Sequence, residues 1–195
     1  KKEEMLEQRM KSLPEHNSHK EFHKFKPNEV KIVDKKYLER RYHSAEFKAS
    51  IDSISTDFNL NTEQDRTFRI VANHATSPYS DQLRMYIGGM GGTGKTQVLK
   101  ALVKFFELRN EAHRILIVAP TGTAAALLGG YPYHSAFGIN EQTQGDGDGS
   151  KVISTLTGVD YVFLDEVSML SAYDMHKISR KLCLVLGVTH KPFGG

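Results

Sequence analysis

Gly88-Gly-Met-Gly-Gly-Thr-Gly-Lys-Thr96 decides how the rest of this chain is read. Its last eight residues fill the pattern G-x-x-x-x-G-K-[ST], in which glycines let successive backbone N–H groups turn inward around phosphate oxygens. Gly89, Gly91, Gly92, Thr93 and Gly94 form the expected cradle, and Lys95 reaches the β- and γ-phosphates. Thr96 offers its hydroxyl to a magnesium ion, which keeps most of its waters and takes few protein ligands. A nucleoside triphosphate is the implied ligand. The pattern carries weight only between a strand and a helix, and both are expected. Leu83-Arg-Met-Tyr-Ile87 reads as a short buried strand, and Gln97 to Leu108 places Val98, Leu102, Phe105 and Phe106 at helical spacing.

Beyond that helix, Arg114-Ile-Leu-Ile-Val-Ala119 is a continuous apolar run of the kind found in a strand covered on both faces. Pro120 ends it, and Thr121 to Leu128 reads as a turn and a small-residue helix closed by Gly129 and Gly130. Tyr161-Val-Phe-Leu164 is the next strand, with Asp165 and Glu166 directly at its C-terminal end. Short apolar strands alternating with amphipathic helices predict an α/β fold, a parallel sheet with helices on both faces. Ligands of such sheets collect beyond the carboxyl ends of the strands. Asp165 is therefore expected to hold magnesium together with Thr96, and Glu166 to orient or deprotonate an attacking water.

The chain has 195 residues, of which 39% are hydrophobic, enough for one domain with an appendage. Its longest apolar runs, Ile115 to Ala119 and Leu182 to Val188, are too short to span a bilayer, and no membrane association is expected. The N-terminal residues are charged and lack the apolar stretch of a secretory signal. Cys183 is the single cysteine, which rules out an internal disulfide or a cysteine-rich zinc site in this sequence. An intracellular protein is expected, nuclear if the source is eukaryotic.

The net charge of +3 sits unevenly: residues 1–50 hold thirteen Lys or Arg against nine Asp or Glu. That stretch belongs to a charged, partly helical or disordered leader over 1–57, broken by Pro14 and Pro27, with a helix expected around Lys35 to Ile51. The ordered domain is expected over 58–195. Asp146-Gly-Asp-Gly149 has the start of a calcium loop, but Thr157 stands where a bidentate Glu is required, so a surface loop is expected. His16, His19 and His23 show no metal-ligand spacing.

Five separated blocks together resemble superfamily 1 DNA helicases of the Pif-one type, a group that includes RecD-like enzymes and Helitron transposon helicases. Leu60-Asn-Thr-Glu-Gln64 resembles the Q motif, implying that Gln64 hydrogen-bonds the adenine of ATP. Gly89 to Thr96 corresponds to motif I and Asp165-Glu-Val-Ser-Met169 to motif II. Ala119-Pro-Thr-Gly-Thr-Ala-Ala-Ala126 is similar to motif Ia, which implies contacts of Thr121 and Gly122 with single-stranded DNA; without the resemblance the same residues are a helix entry. Tyr133-His-Ser-Ala-Phe-Gly138 resembles the next strand-contacting block, with His134 and Ser135 left open between DNA contact and local turn hydrogen bonds.

The resemblance implies a RecA-like P-loop NTPase lobe that binds ATP and Mg2+, moves 5′ to 3′ on single-stranded DNA, and serves recombination, repair, telomere maintenance or transposition. It stops at Lys191-Pro-Phe-Gly-Gly195, where the family continues into motif III and a second lobe. An incomplete first motor lobe is therefore expected, with a central strand missing between the phosphate-loop strand and the Asp165 strand. The arginine fingers implied by the family lie outside these residues, and in related NTPases they are worth on the order of 10³ to 10⁵ in turnover. Poor hydrolysis and no unwinding follow for the chain alone. A different class, a catalytically deficient nucleotide- or DNA-binding module from a truncated gene or transposon, remains the alternative. A P-loop kinase would need an acceptor site that nothing in the sequence marks.

Overall fold

Two apolar strands and one glycine-led helix organise the fold. The computed structural model describes residues 47–77, 81–139 and 149–195, all within one unit, Tyr42–Gly195. In chain order come α1 (Lys48–Asp57), α2 (Thr62–Thr76), α3 (Lys95–Leu108), β1 (Ile115–Ala119), α4 (Gly122–Ala126) and β2 (Tyr131–Pro132). They are followed by α5 (Tyr133–Ala136), α6 (Gly149–Leu156), β3 (Tyr161–Leu164) and α7 (Ala172–Leu186). The three strands form a parallel sheet in the order β2-β1-β3.

Burial splits the side chains of β1 and β3 by parity, as the pleat requires. Ile115, Tyr161 and Phe163 pack on one face with α1, α2 and α3, around Ile51, Phe68, Leu102, Phe105 and Phe106. Leu116, Val118, Val162 and Leu164 pack on the other face with Phe137, Val152, Ile178 and Leu182. Helices thus cover both faces, which is why both strands are apolar at every position instead of alternating.

The helix ends follow from local chemistry. Asn61 caps α2, accepting from the Glu63 and Gln64 N–H groups, while Gln64 reaches back to the Asn61 N–H to complete a capping box. Glu63 and Asp65 in the first turn complement the helix dipole. Ser171 and Asp174 form the same reciprocal cap on α7. Thr121 caps α4, accepting from the Ala124 N–H at 3.2 Å. Gly130 then brings the chain back beside β1 so closely that a Cβ there would lie 2.5 Å from the Ile117 carbonyl oxygen.

One predicted strand is corrected. Leu83–Ile87 is not a strand: no backbone ladder joins it to the sheet among the described residues. Its side chains still alternate, with Leu83 and Met85 packed against the first core and Tyr86 exposed. The period-2 pattern was legible; a strand also needs a neighbouring backbone, and this segment pairs with none of β1, β2 and β3.

The leader expected over 1–57 lies outside the described residues as far as 46. So do the Asp146 loop up to residue 148 and the leader histidines. The last ten leader residues form α1, whose Ile51 and Ile54 enter the first core.

Candidate nucleotide and nucleic-acid site

The carboxyl edge of the sheet gathers the candidate residues. β1 and β3 run in register from Ile115 and Tyr161 to Val118 and Leu164, and the Asp165 N–H continues the ladder onto the Val118 carbonyl at 2.9 Å. Ala119 pairs with Pro132 at the same edge, so Thr121 and Gly122 after β1, and His134 and Ser135 after β2, leave the sheet at the edge that also carries Asp165 and Glu166.

Helix α3 brings the loop to this edge. Phe106, near its C-terminus, packs on Tyr161 at the start of β3 with ring centroids 5.4 Å apart. From there α3 rises ~15 Å back to Thr96 at 1.5 Å per residue. Over the same direction β3 runs ~13 Å from Tyr161 to Asp165. The two lengths match, because α3 must return antiparallel to β1 to feed it through the short Ala112–Arg114 turn. No hydrogen bond joins Thr96 to Asp165 among the described residues.

Within the loop, the Thr93 N–H and hydroxyl both donate to the Met90 carbonyl, at 3.4 and 2.9 Å. The Lys95 ammonium folds back across the loop and donates to the Gly89 and Met90 carbonyls at 2.9 and 3.0 Å. A cation is thereby held over the mouth of the turn. Gly94, the residue before α3, adopts φ +82°, a conformation glycine takes without steric cost. No side chain caps α3 and no acidic residue lies in its first turn. Its N-terminal N–H groups and positive dipole end are therefore not neutralised by the chain itself.

Gln64 meets the loop as well: its Nε2 donates to the Thr93 carbonyl at 3.0 Å and to that of Gly94 at 3.5 Å. Beyond β3, Asp165 is half-buried and Glu166 exposed, and an Asp165 carboxylate oxygen accepts the Glu166 N–H at 2.9 Å. Glu166 sits at φ 50°, ψ 40°, a left-handed conformation uncommon outside glycine and asparagine. Such outliers collect at functional positions. Thr121, Gly122, His134 and Ser135 are all exposed. Thr121 makes the helix-entry bond expected of its residue type, and the His134 ring lies edge-on to Tyr133 at 5.5 Å.

The model of the family described as PIF1-like helicase matches residues 59–195, well over half of the chain and every candidate residue above. The chain belongs to the PIF1-like helicase family. Among relatives, it is 38% identical over 111 residues to the ATP-dependent DNA helicase PIF1 of Trypanosoma brucei brucei, covering 57% of this chain and 11% of that protein. It is 28% identical over 149 residues to the ATP-dependent DNA helicase PIF1 of Saccharomyces cerevisiae, covering 70% and 16%. A solved structure, Bacteroides Pif1 bound to ssDNA, matches with 32% identity and a TM-score of 0.44, covering 53% of this chain and 24% of that one. The chain therefore spans a small part of the relatives it matches.

Two features of this PIF1-like lobe escape sequence reading. Gln97, in the first turn of α3, donates from Nε2 to the Phe58 carbonyl at 3.1 Å, a bond across 39 residues with no local signature. Arg114 joins the starts of β1 and β3, pairing with Asp160 at 2.6 Å and with Glu111, while Asp160 N–H donates to the Arg114 carbonyl at 2.9 Å. Burial alone would raise the Glu111 pKa, but the hydrogen bonds from Arg109 and Arg114 outweigh it and hold the carboxyl below its ordinary value.

Proposed function

We propose that this chain is the nucleotide-binding part of the motor of an ATP-dependent DNA helicase, taking ATP with Mg2+ and contacting single-stranded DNA. The observation that carries the reading is Lys95 held across the glycine loop at the uncapped N-terminus of α3. Gly89, Gly91, Gly92, Thr93 and Gly94 would present backbone N–H groups to the phosphates. The Thr96 hydroxyl and Asp165 carboxylate are hard oxygen donors of the kind magnesium takes, and two protein ligands suit an ion that keeps its waters. That ion would neutralise charge developing on the phosphates. Glu166 would orient the attacking water, and Gln64 would meet the adenine.

Thr121, Gly122, His134 and Ser135 share the carboxyl edge with Asp165, which supports one strand of DNA lying along it. Phosphate contacts there would carry no base code, so binding would be sequence-independent. Movement 5′ to 3′, a role in recombination, repair, telomere maintenance or transposition, and a nuclear or other intracellular location complete the proposal by family likeness.

The test is Mg-dependent ATP binding by the chain and its Lys95→Ala variant, and DNA-stimulated hydrolysis by the same pair in a version extended through motif III and the second lobe. Loss of the ammonium should weaken ATP at least about tenfold, the effect of ~1.4 kcal/mol. Undiminished binding and hydrolysis in Lys95→Ala would sink the assignment. Binding without any DNA-stimulated turnover would favour the alternative of a catalytically deficient module.

A further inference from the structure

We propose that Gln64 and Gln97 are positioning residues that set the shape of the phosphate loop, so that Gln64 acts on phosphate binding and not only on the base; the idea rests on the nucleotide reading above. Thr93 C=O and Gly94 N–H are two ends of one rigid plane and point in opposite directions, as do Gly94 C=O and Lys95 N–H.

Gln64 Nε2 holds the Thr93 carbonyl at 3.0 Å and leans on that of Gly94 at 3.5 Å. Fixing those oxygens toward α2 aims the Gly94 and Lys95 N–H groups away from it. The Gly94 carbonyl also accepts from Gln97 N–H as the first bond of α3, at 3.0 Å. The Thr93 carbonyl lies before the helix and has no such partner in it, so Gln64 supplies one.

Gln64 is itself immobilised. Its Oε1 accepts the Asn61 N–H at 3.0 Å while Nε2 donates to the Thr93 carbonyl, so both ends of the side-chain amide are committed, and the Gln64 backbone N–H donates to the Asn61 side chain at 3.0 Å. The approach is close: a Cβ at Gly94 would displace Gln64 Nε2, the movable end of that side chain, from the loop. Gln97 ties the other side of the same connection: its bond to the Phe58 carbonyl fastens the first turn of α3 to the end of α1. The segment from Phe58 to Gln64 is thereby strapped to the loop at both ends.

The two roles separate with a ligand that has no base. Calorimetry with Mg2+ and either ATP or inorganic tripolyphosphate, on the unsubstituted chain, Gln64→Ala and Gln97→Ala, reads them apart. Loss of one hydrogen bond of ordinary strength corresponds to about a fivefold change. Gln64→Ala is expected to weaken tripolyphosphate by a factor of about that size and ATP by at least as much, and Gln97→Ala to weaken both in the same sense. Weakening of ATP alone, with tripolyphosphate unchanged, would make Gln64 a base reader and overturn the proposal, as would no change in either variant. Should Gln64→Ala fail to fold in a thermal melt, Gln97→Ala decides alone. An unsubstituted chain that binds neither ligand would instead overturn the nucleotide reading itself.

Discussion

Gly94 is where an added methyl group bears directly on the phosphate loop. Its φ of +82° is strained for any side chain, while the nearby Gln64 amide can shift aside, so backbone strain sets the effect of Gly94→Ala. Strain of that kind costs on the order of 1–3 kcal/mol. Gly94→Ala should lower stability by about 2 kcal/mol in urea titration, and a change within error would show that the loop rearranges freely. Glu166 presents the opposite case, an exposed side chain in a left-handed conformation. Glu166→Gly should leave stability unchanged or raise it by up to about 1 kcal/mol, while removing the group proposed to orient water. Stability and DNA-stimulated hydrolysis measured on the same variant would then move apart; parallel loss of both would place Glu166 in the framework instead. The loop was legible because its meaning is contiguous: glycine spacing and Lys95 stand together in the chain. The bonds of Gln64 and Gln97 were not, since their partners lie 29 to 39 residues away and a glutamine carries no mark of what it holds.

At the level of elements, legibility tracked packing. α3, β1 and β3 announce themselves by apolar spacing, and their observed limits differ from those read in the chain by two residues at most. β2 was missed because two residues after a glycine pair have no periodicity to show. α1 carries only Ile51 and Ile54 into the core, too few for its spacing to rise above the charged leader. The junction at Arg114 holds these elements at their starts and has a pH signature. Glu111 is depressed in the folded state, so its contribution is full above its ordinary value, about 4.3, and is lost as pH falls through the lower folded value. Arg114→Met removes a side chain only 11% exposed and leaves Glu111 and Asp160 without it. Unpairing a buried ion pair costs about 3–5 kcal/mol, and the partners' exposure of 25% and 30% argues for about 2 kcal/mol here. Urea titrations at pH 7 and 3.5 should show that loss at pH 7 and a smaller one at pH 3.5. Equal losses at both would mean that packing on Phe106 and Tyr161, with which the guanidinium also stacks, dominates.

Across the whole molecule, parallel strands sandwiched between two apolar cores place one edge for ligands and the other for turns. That arrangement was legible as a class, since strands apolar at every position require cover on both sides. Strand order was not, because nothing in β1, β2 or β3 names its neighbour. The segment Leu83–Ile87, which leads into the glycine loop, is held to the first core by side chains and by no backbone ladder among the described residues. Peptide groups so placed have little to slow their exchange with solvent deuterium. The amides of Arg84 and Tyr86 should exchange near the rate of an unstructured peptide while those of Leu116 and Val118 remain protected; equal protection would reveal a hidden backbone partner. The loop thus hangs on a tether gripped only by apolar side chains between two hydrogen-bonded ends, Asp81 and Gln82 on one side and Gly89 on the other.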